Sequence, residues 1–274
     1  MAVIKEQSRM WKVKPLDGVI TMQAQYRTFS FTAHYHEDYA IGLIEDGVQR
    51  FNCQGTDFAV PTHSLFTVNP GDVHDGRSAL SNGYRYSTIF IPPELLSPFV
   101  SSSVQVRFNS PLNEDLQASR LVQKLFVSLR SSHPEEIVIQ ERFHEMLDYL
   151  MTTHTNQTPD SLPHYSHPAI SRGCDFINDM ATETISLDDI ATAVGLSPYH
   201  FLRLFKKQTG LSPHGYLLNR RLHLARAAIE QGSPLADAAI DAGFFDQSHF
   251  SKHFKAAFGL TPGKFKNAIS PSSG

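Results

Sequence analysis

The feature that most constrains this chain is an internal repeat in its last third. Leu187 to Pro213 matches Leu235 to Pro262 at an offset of 48 positions, which becomes 49 after one extra residue in the second turn. Ala191 pairs with Ala239 and Gly195 with Gly243. Further on, Phe201 pairs with Phe250, Arg203 with Lys252, Phe205 with Phe254, Gly210 with Gly259 and Pro213 with Pro262. Each copy predicts a helix, a Gly-containing turn and a second helix. In the first copy Ser197 suits an N-cap and Pro198 the first helical position; in the second, Gly243 ends the helix from Pro234 and Asp246 caps its successor.

The second helix of each copy has two faces of different chemistry. With residues advancing by about 100° each, Phe201, Leu204 and Phe205 share one side and are expected to be buried. Tyr199, Leu202, Arg203 and Lys206 occupy the other. The second copy buries Phe250 and Phe254 and presents Ser248, Ser251, Lys252 and, at its end, Lys255. Polar and basic residues on such an outer face are what reading of the DNA major groove requires. A single copy would fit a helical hairpin of a structural or protein-binding domain equally well. Two copies joined by one long predicted helix, Pro213 to Gln231, could hold two recognition helices about 34 Å apart, one turn of duplex.

The net charge of −3 looks wrong for a DNA binder until it is divided along the chain. From Ser186 onward lie 10 of the 24 Lys and Arg and 6 of the 27 Asp and Glu, leaving 14 against 21 before it. A basic tail on an acidic front suits one domain that touches phosphate and one that does not. The chain length of 274 residues accommodates two domains. No apolar run approaches the roughly 20 residues of a membrane span, and Met1 to Trp11 lacks the pattern of a signal peptide. Cys53 and Cys174 stand far apart and read as reduced thiols. A cytoplasmic protein with no membrane partner is the expectation.

Ahead of the repeat the period changes. From about Val19 to Ile91 short alternating runs read as strands, with Asp46-Gly47 predicting a hairpin and Asn69-Pro70-Gly71-Asp72 another turn. Leu112 to Arg130 and Glu135 to Met151 read as an antiparallel helix pair joined at Ser131-Ser132-His133-Pro134. From Thr152 to Pro168 the composition shifts to Thr, Asn, Pro, Ser and His, which reads as a linker. His34 and His36 fall on one face of a strand, and with His74 could supply three imidazoles to a divalent metal. Ligand hydrogen bonding, pocket lining and plain structural roles are the other readings. Tyr39, Tyr84 and Tyr86 are further pocket candidates or ordinary packing, and Arg85 should face away from its neighbouring tyrosines. No nucleophile elbow, phosphate loop or paired-carboxylate motif is present, so an enzyme is not expected.

The run Ser186-Leu187-Asp188-Asp189-Ile190-Ala191, Ser197-Pro198-Tyr199-His200-Phe201-Leu202-Arg203-Leu204-Phe205-Lys206 and Gly210-Leu211-Ser212-Pro213 resembles the AraC/XylS family of transcriptional regulators. Gly243-Phe244-Phe245-Asp246-Gln247-Ser248-His249-Phe250-Ser251-Lys252 and Gly259-Leu260-Thr261-Pro262 follow at that family's spacing. The resemblance spans about Ser166 to Asn267 and implies that Tyr199, Leu202 and Arg203 read bases in the first unit, and Gln247, Ser248, Ser251 and Lys252 in the second. Leu202 can offer a base only an apolar contact, as with a thymine methyl, whereas Arg203 suits guanine. His200, Lys206, His249 and Lys255 are assigned to phosphate contact or packing. Gly243, Phe244 and the phenylalanines are taken as structural.

A looser resemblance to the same family's cupin-like sensor rests on His34-Tyr35-His36, Gly42, Gly47 and Asn69-Pro70-Gly71-Asp72-Val73-His74. It implies an effector site involving His34, His36, Tyr39, His74, Tyr84 and Tyr86, and a dimer seam along Leu121, Leu125 and Leu129. The metal-binding cupins carry a Glu shortly after the second histidine; here positions 40 and 41 are Ala and Ile. The expectation is therefore no metal and no cofactor, with a metal-binding cupin sensor or cupin enzyme as the alternative reading.

Together these readings predict a two-domain α+β chain. A cupin-like β-barrel with an antiparallel helix pair occupies 1–152, a linker 153–168, and an all-α domain of two helix-turn-helix units joined by a long helix 169–274. The expected function is a sequence-specific, effector-responsive DNA-binding regulator, an activator by resemblance. Its expected partners are double-stranded promoter DNA, a small-molecule effector, RNA polymerase (by resemblance) and a second copy in a homodimer.

Overall fold

The computed structural model describes residues 6–99, 104–133, 135–159, 165 and 167–270. Two compact units are present: Met1–Phe31 with His36–Ser161, and Thr32–Tyr35 with Leu162–Gly274. Among the described residues no helix is long and apolar enough to cross a membrane.

In the first unit a nine-stranded sheet is organised around one long strand. The strands are β1 (Gln7–Lys12), β2 (Ile20–Tyr26), β3 (Ser30–His34), β4 (Tyr39–Cys53), β5 (Thr56–Pro61), β6 (Leu65–Val68), β7 (His74–Ser78) and β8 (Tyr84–Ile91). After a 3₁₀ turn, Pro93–Phe99, come β9 (Val104–Phe108) and β10 (Leu112–Asn113). The path runs β1-β2-β8-β4-β6-β10, while the second half of β4 also pairs with β5 and β7. All the registered pairs are antiparallel.

Alternation along β8 shows how the sheet is used, because successive side chains leave a strand on opposite faces. Tyr84 and Tyr86 join an inner cluster with Tyr26, Phe51, Phe66 and Val60, so both halves of β4 contribute to one barrel-like interior. Ile89 and Ile91 point the other way, with Ile41 and Leu65, against helices α1 (Leu116–Leu129) and α2 (Glu136–Thr153). Arg85 is outward as expected, paired with Glu45 at 3.2 Å.

Two local expectations are corrected. Asp46-Gly47 is not a hairpin: β4 continues through it, with a bulge between Ile44 and Asp46. Gly47 sits at φ +78°, and a Cβ there would lie 2.4 Å from the Gly83 carbonyl oxygen, so the sequence signal for a left-handed glycine was real but serves the bulge. The hairpin falls instead at Gln54-Gly55, where φ is +52° and +81° and Cys53 faces Thr56. The expected linker also begins with structure, since β11 (Thr155–Pro159) pairs antiparallel with β9. Its polar side chains hid a strand whose stability comes from backbone pairing.

The second unit contains α3 (Pro168–Asp179), α4 (Leu187–Val194), α5 (Pro198–Thr209), α6 (Pro213–Glu230), α7 (Leu235–Asp241), α8 (Gln247–Phe258) and α9 (Pro262–Ile269). The caps explain where these helices start. Ser186 and Asp189 form a capping box on α4, Ser197 accepts from the His200 N–H, and Asp246 accepts from the His249 N–H. Phe201 and Phe205 are fully buried among Ile170, Ile177 and Ile190. Phe250 and Phe254 form the matching anchor, with Phe244 5.2 Å from Phe250 and Phe265 5.5 Å from Phe254 between ring centroids.

Candidate nucleic-acid interface and sensor interior

With its phenylalanines turned inward, α5 must present the opposite side. Tyr199 is 76% exposed and Leu202 37%, and Arg203 and Lys206 are also exposed. These four residues line one open cleft of about 360 Å³ together with Lys207, a cation that sequence reasoning overlooked. A cleft walled by an aromatic ring and three cations suits a polyanion with planar bases.

On α8, Gln247, Ser248, Lys252 and Lys255 are exposed and Ser251 is half-buried. Burial first, and then the charges of His249, Lys252 and His214, lower the pKa of His253. With Lys252 and Lys255 exposed beside Ser248, this helix offers a basic surface of smaller side chains than α5. One expectation is corrected here: Phe245 is not a structural phenylalanine but is 90% exposed. It directly precedes the Asp246 cap, at the same end of α8 as Gln247 and Ser248. The repeat could have flagged it, because Leu196 aligns with Phe244, which leaves Phe245 as the one extra residue of the second turn, before the Asp246 cap.

The sensor candidates do not all converge. The rings of His36 and His74 lie edge to face at 4.8 Å. The Nδ1 of His36 lies 2.7 Å from the Asp38 carbonyl and that of His74 2.9 Å from the Asp72 carbonyl. A carbonyl only accepts, so both Nδ1 atoms carry the proton. Burial, the largest influence, lowers the pKa of His74. His34 falls in the stretch that groups with the second unit, and its Nδ1 donates to the Thr32 carbonyl at 2.8 Å. Among the described residues no group of three His, Cys, Asp or Glu is arranged to hold a metal.

Tyr84 and Tyr86 stack at 5.4 Å within the inner cluster. Tyr39 lies on the other face of the sheet, in the helix-side core, where its hydroxyl donates to the Val106 carbonyl at 2.6 Å. It is therefore not grouped with Tyr84 and Tyr86, because its odd position in β4 points it away from them. The residues of the expected dimer seam also lie in that core. Leu121 and Leu125 are buried in the helix-side core and Leu129 packs against it. The second helix and the sheet together pack against this stripe. The exposed apolar residues of the helix pair are Leu116, Val127 and Ile137.

Comparison with known proteins follows this division. Residues 190–268 match the helix-turn-helix domain family, and residues 18–147 match the AraC-like ligand binding domain family. A protein of Bacillus subtilis described as the uncharacterized HTH-type transcriptional regulator YbfI is 30% identical over 230 residues, covering 80% of this chain and 81% of the relative. The lactose operon transcription activator of Staphylococcus xylosus is 22% identical over 233 residues, covering 83% of each. Among solved structures, ToxT from Vibrio cholerae O395 superposes with a TM-score of 0.53 at 14% identity, covering 97% of this chain and 98% of that one. Unsaturated fatty acid bound wild-type ToxT gives 0.53 at 11% identity over 98% of both chains. At that identity the likeness speaks to fold alone.

Proposed function

This chain belongs to the AraC-type family of transcriptional regulators, and from that premise we propose how it reads DNA and receives its signal. Helices α5 and α8 enter successive major-groove segments on one face of promoter DNA. In α5, Arg203 recognises guanine, Leu202 contacts a thymine methyl, Tyr199 packs on the bases or sugars, and Lys206 and Lys207 hold phosphate. In α8, Gln247, Ser248, Ser251 and Lys252 read base edges, with Phe245 packing beside them. The single observation that carries this reading is that both phenylalanine-anchored helices turn their polar and basic sides to solvent.

The sheet unit is the sensor, a non-enzymatic module whose interior near His36, His74, Tyr84 and Tyr86 receives a small effector. The match of residues 18–147 to the AraC-like ligand binding domain family supports a small-molecule site in this half, and the similarly folded ToxT is itself known bound to an unsaturated fatty acid. Self-association as a homodimer is assigned to the outer side of the helix pair, at Leu116, Val127 and Ile137, instead of the buried leucines. Activation through RNA polymerase is the proposed output, supported by the name of the Staphylococcus relative, and the cytoplasm is the proposed compartment.

Fluorescence anisotropy with duplexes recovered by selection tests the reading. Affinity should fall steeply with salt, and Arg203→Ala should weaken the selected site far more than random duplex. A broad metabolite screen by thermal shift on the full chain tests the sensor half, where a stabilising compound is expected. Salt-independent binding, or no stabilising compound, would contradict the respective half.

A further inference from the structure

Folded proteins leave very few buried polar atoms without a partner. Among the described residues, the side-chain atoms in that state include Gln49 Oε1, Tyr84 Oη, Thr88 Oγ1 and Ser119 Oγ. The first three belong to the inner face of one sheet. Gln49 lies on β4 two residues before Phe51, and Thr88 lies four residues after Tyr84 on β8, so alternation turns all three toward the aromatic cluster. They are 6%, 2% and 2% exposed, so bulk water does not serve them.

Aromatic rings lead from Gln49 to Tyr84. A Cβ added at Gly76 would lie 3.0 Å from Gln49 Nε2 and 3.3 Å from Phe31, which places the amide beside that ring. Phe31 meets Tyr26 edge-on at 5.6 Å, Tyr26 lies 6.3 Å from Tyr84, and Tyr84 stacks on Tyr86. Gln49 Oε1 can only accept, whereas Tyr84 Oη and Thr88 Oγ1 can each donate or accept. A hydroxyl can satisfy both kinds of partner at once, and a ring can stack on the surrounding faces.

Charge narrows the class further. Arg107, whose charge acts on Cys53 of this cluster, is already paired with Asp72 at 2.6 Å. Arg85, the cation next in sequence to Tyr84, faces outward onto Glu45. Burial, then Tyr26 and then the Glu6 carboxylate raise the Tyr84 hydroxyl pKa above its ordinary value, so this group stays a neutral donor. A buried carboxylate would find Arg107 and Arg85 already committed to Asp72 and Glu45 and would keep much of its desolvation penalty.

We propose that the sensor interior binds an uncharged, ring-bearing, hydroxylated small molecule held by Gln49 and Tyr84, and that it discriminates against carboxylates. This rests on the sensor reading above and names its ligand class. The apolar isosteres Tyr84→Phe, Gln49→Leu and Thr88→Val should leave the free protein as stable or raise its Tm, because each removes an orphan atom.

The test is isothermal titration of the full chain with matched pairs on one skeleton: benzyl alcohol and benzoate, naphthalenemethanol and naphthoate, and oleyl alcohol and oleate. The ring alcohols should bind at least tenfold tighter than their carboxylates, and Tyr84→Phe and Gln49→Leu should each cost at least fivefold in affinity without lowering Tm. Carboxylates binding as tightly as alcohols would overturn the class while leaving the sensor reading intact. Unchanged alcohol affinity in both variants would move the site elsewhere and overturn the assignment. If neither class binds, this inference falls, and the broad metabolite screen decides separately whether the sensor reading falls with it.

Discussion

Arg130, immediately beyond α1, donates to the carboxylate of Glu45 on β4, so the helix pair is tied to the outer face of the sheet by a part-buried ion pair. Arg85 holds the other carboxylate oxygen at 3.2 Å, and the Ser87 hydroxyl donates to the same oxygen as Arg130 at 2.7 Å. Glu45 is thus a junction for three elements. Burial alone would raise its pKa, but Ser87, Arg130 and Arg85 together set it below the ordinary value of 4.5.

That shift fixes a sign. A carboxylate with a depressed folded pKa stabilises the fold above its unfolded pKa, and the gain is lost as pH falls through the folded value. Glu45→Gln should cost about 1.5–3 kcal/mol at neutral pH, the range for hydrogen bonds to charged groups. The Tm gap between wild type and variant should hold down to about pH 5 and close as pH drops below 4.5. Thermal melts across pH 3 to 7 check this, and a gap that widens toward acid would be the wrong sign.

Burial of Leu125 gives a second prediction. Leu125→Ala should destabilise the sheet unit by about 2–5 kcal/mol through the cavity it leaves, without changing self-association of the protein that stays folded. Leu116→Ser with Val127→Ser, both exposed positions, should do the reverse. Denaturant titration together with sedimentation velocity separates the two outcomes.

Gly243 carries a third. It adopts φ +85°, and a Cβ there would lie 2.9 Å from the Thr182 carbonyl oxygen and 3.0 Å from Arg221 Nε. Arg221 donates to the carbonyls of Ala181 and Glu183, so it has little room to move. Gly243→Ala should cost about 1–3 kcal/mol from backbone strain alone, whereas Gly195→Ala, with open space around its Cβ, should cost less. Urea unfolding of the two variants measures the difference.

Arg203 and Lys206 separate specificity from affinity. Arg203→Ala should relax preference at one base pair at a cost of about 1–3 kcal/mol. Lys206→Ala should weaken all duplexes alike and reduce the slope of log K against log salt by about 0.9. Phe245→Ala should weaken DNA binding while leaving Tm unchanged, since its ring is exposed. Titrations at several salt concentrations distinguish the three.

Much of the helical half was legible in the sequence because its determinants are local. Ser197, Asp246, Gly195 and Gly243 mark caps and turns within a few residues, and the repeat states each signal twice. The sheet half was legible in kind but not in assignment. Whether an apolar residue such as Leu125 or Tyr39 faces a partner, a ligand or its own sheet depends on strands far away in sequence. Asp46-Gly47 shows the same limit: the positive φ was readable, but its use in a bulge is decided by the neighbouring β8. The polar strand Thr155–Pro159 gave no apolar signal at all, and the orphan atoms of Gln49, Tyr84 and Thr88 exist only once the fold has buried them.

The central claim is that α5 and α8 read one duplex as a pair. Selection of bound DNA from random sequence by the full chain tests it most directly. The expected result is an enriched site with two short elements centred about 10–10.5 bp apart, the first losing its guanine preference in Arg203→Ala and the second relaxing in Gln247→Ala. Enrichment of a single contiguous element untouched by Gln247→Ala, or no enrichment at all, would contradict it.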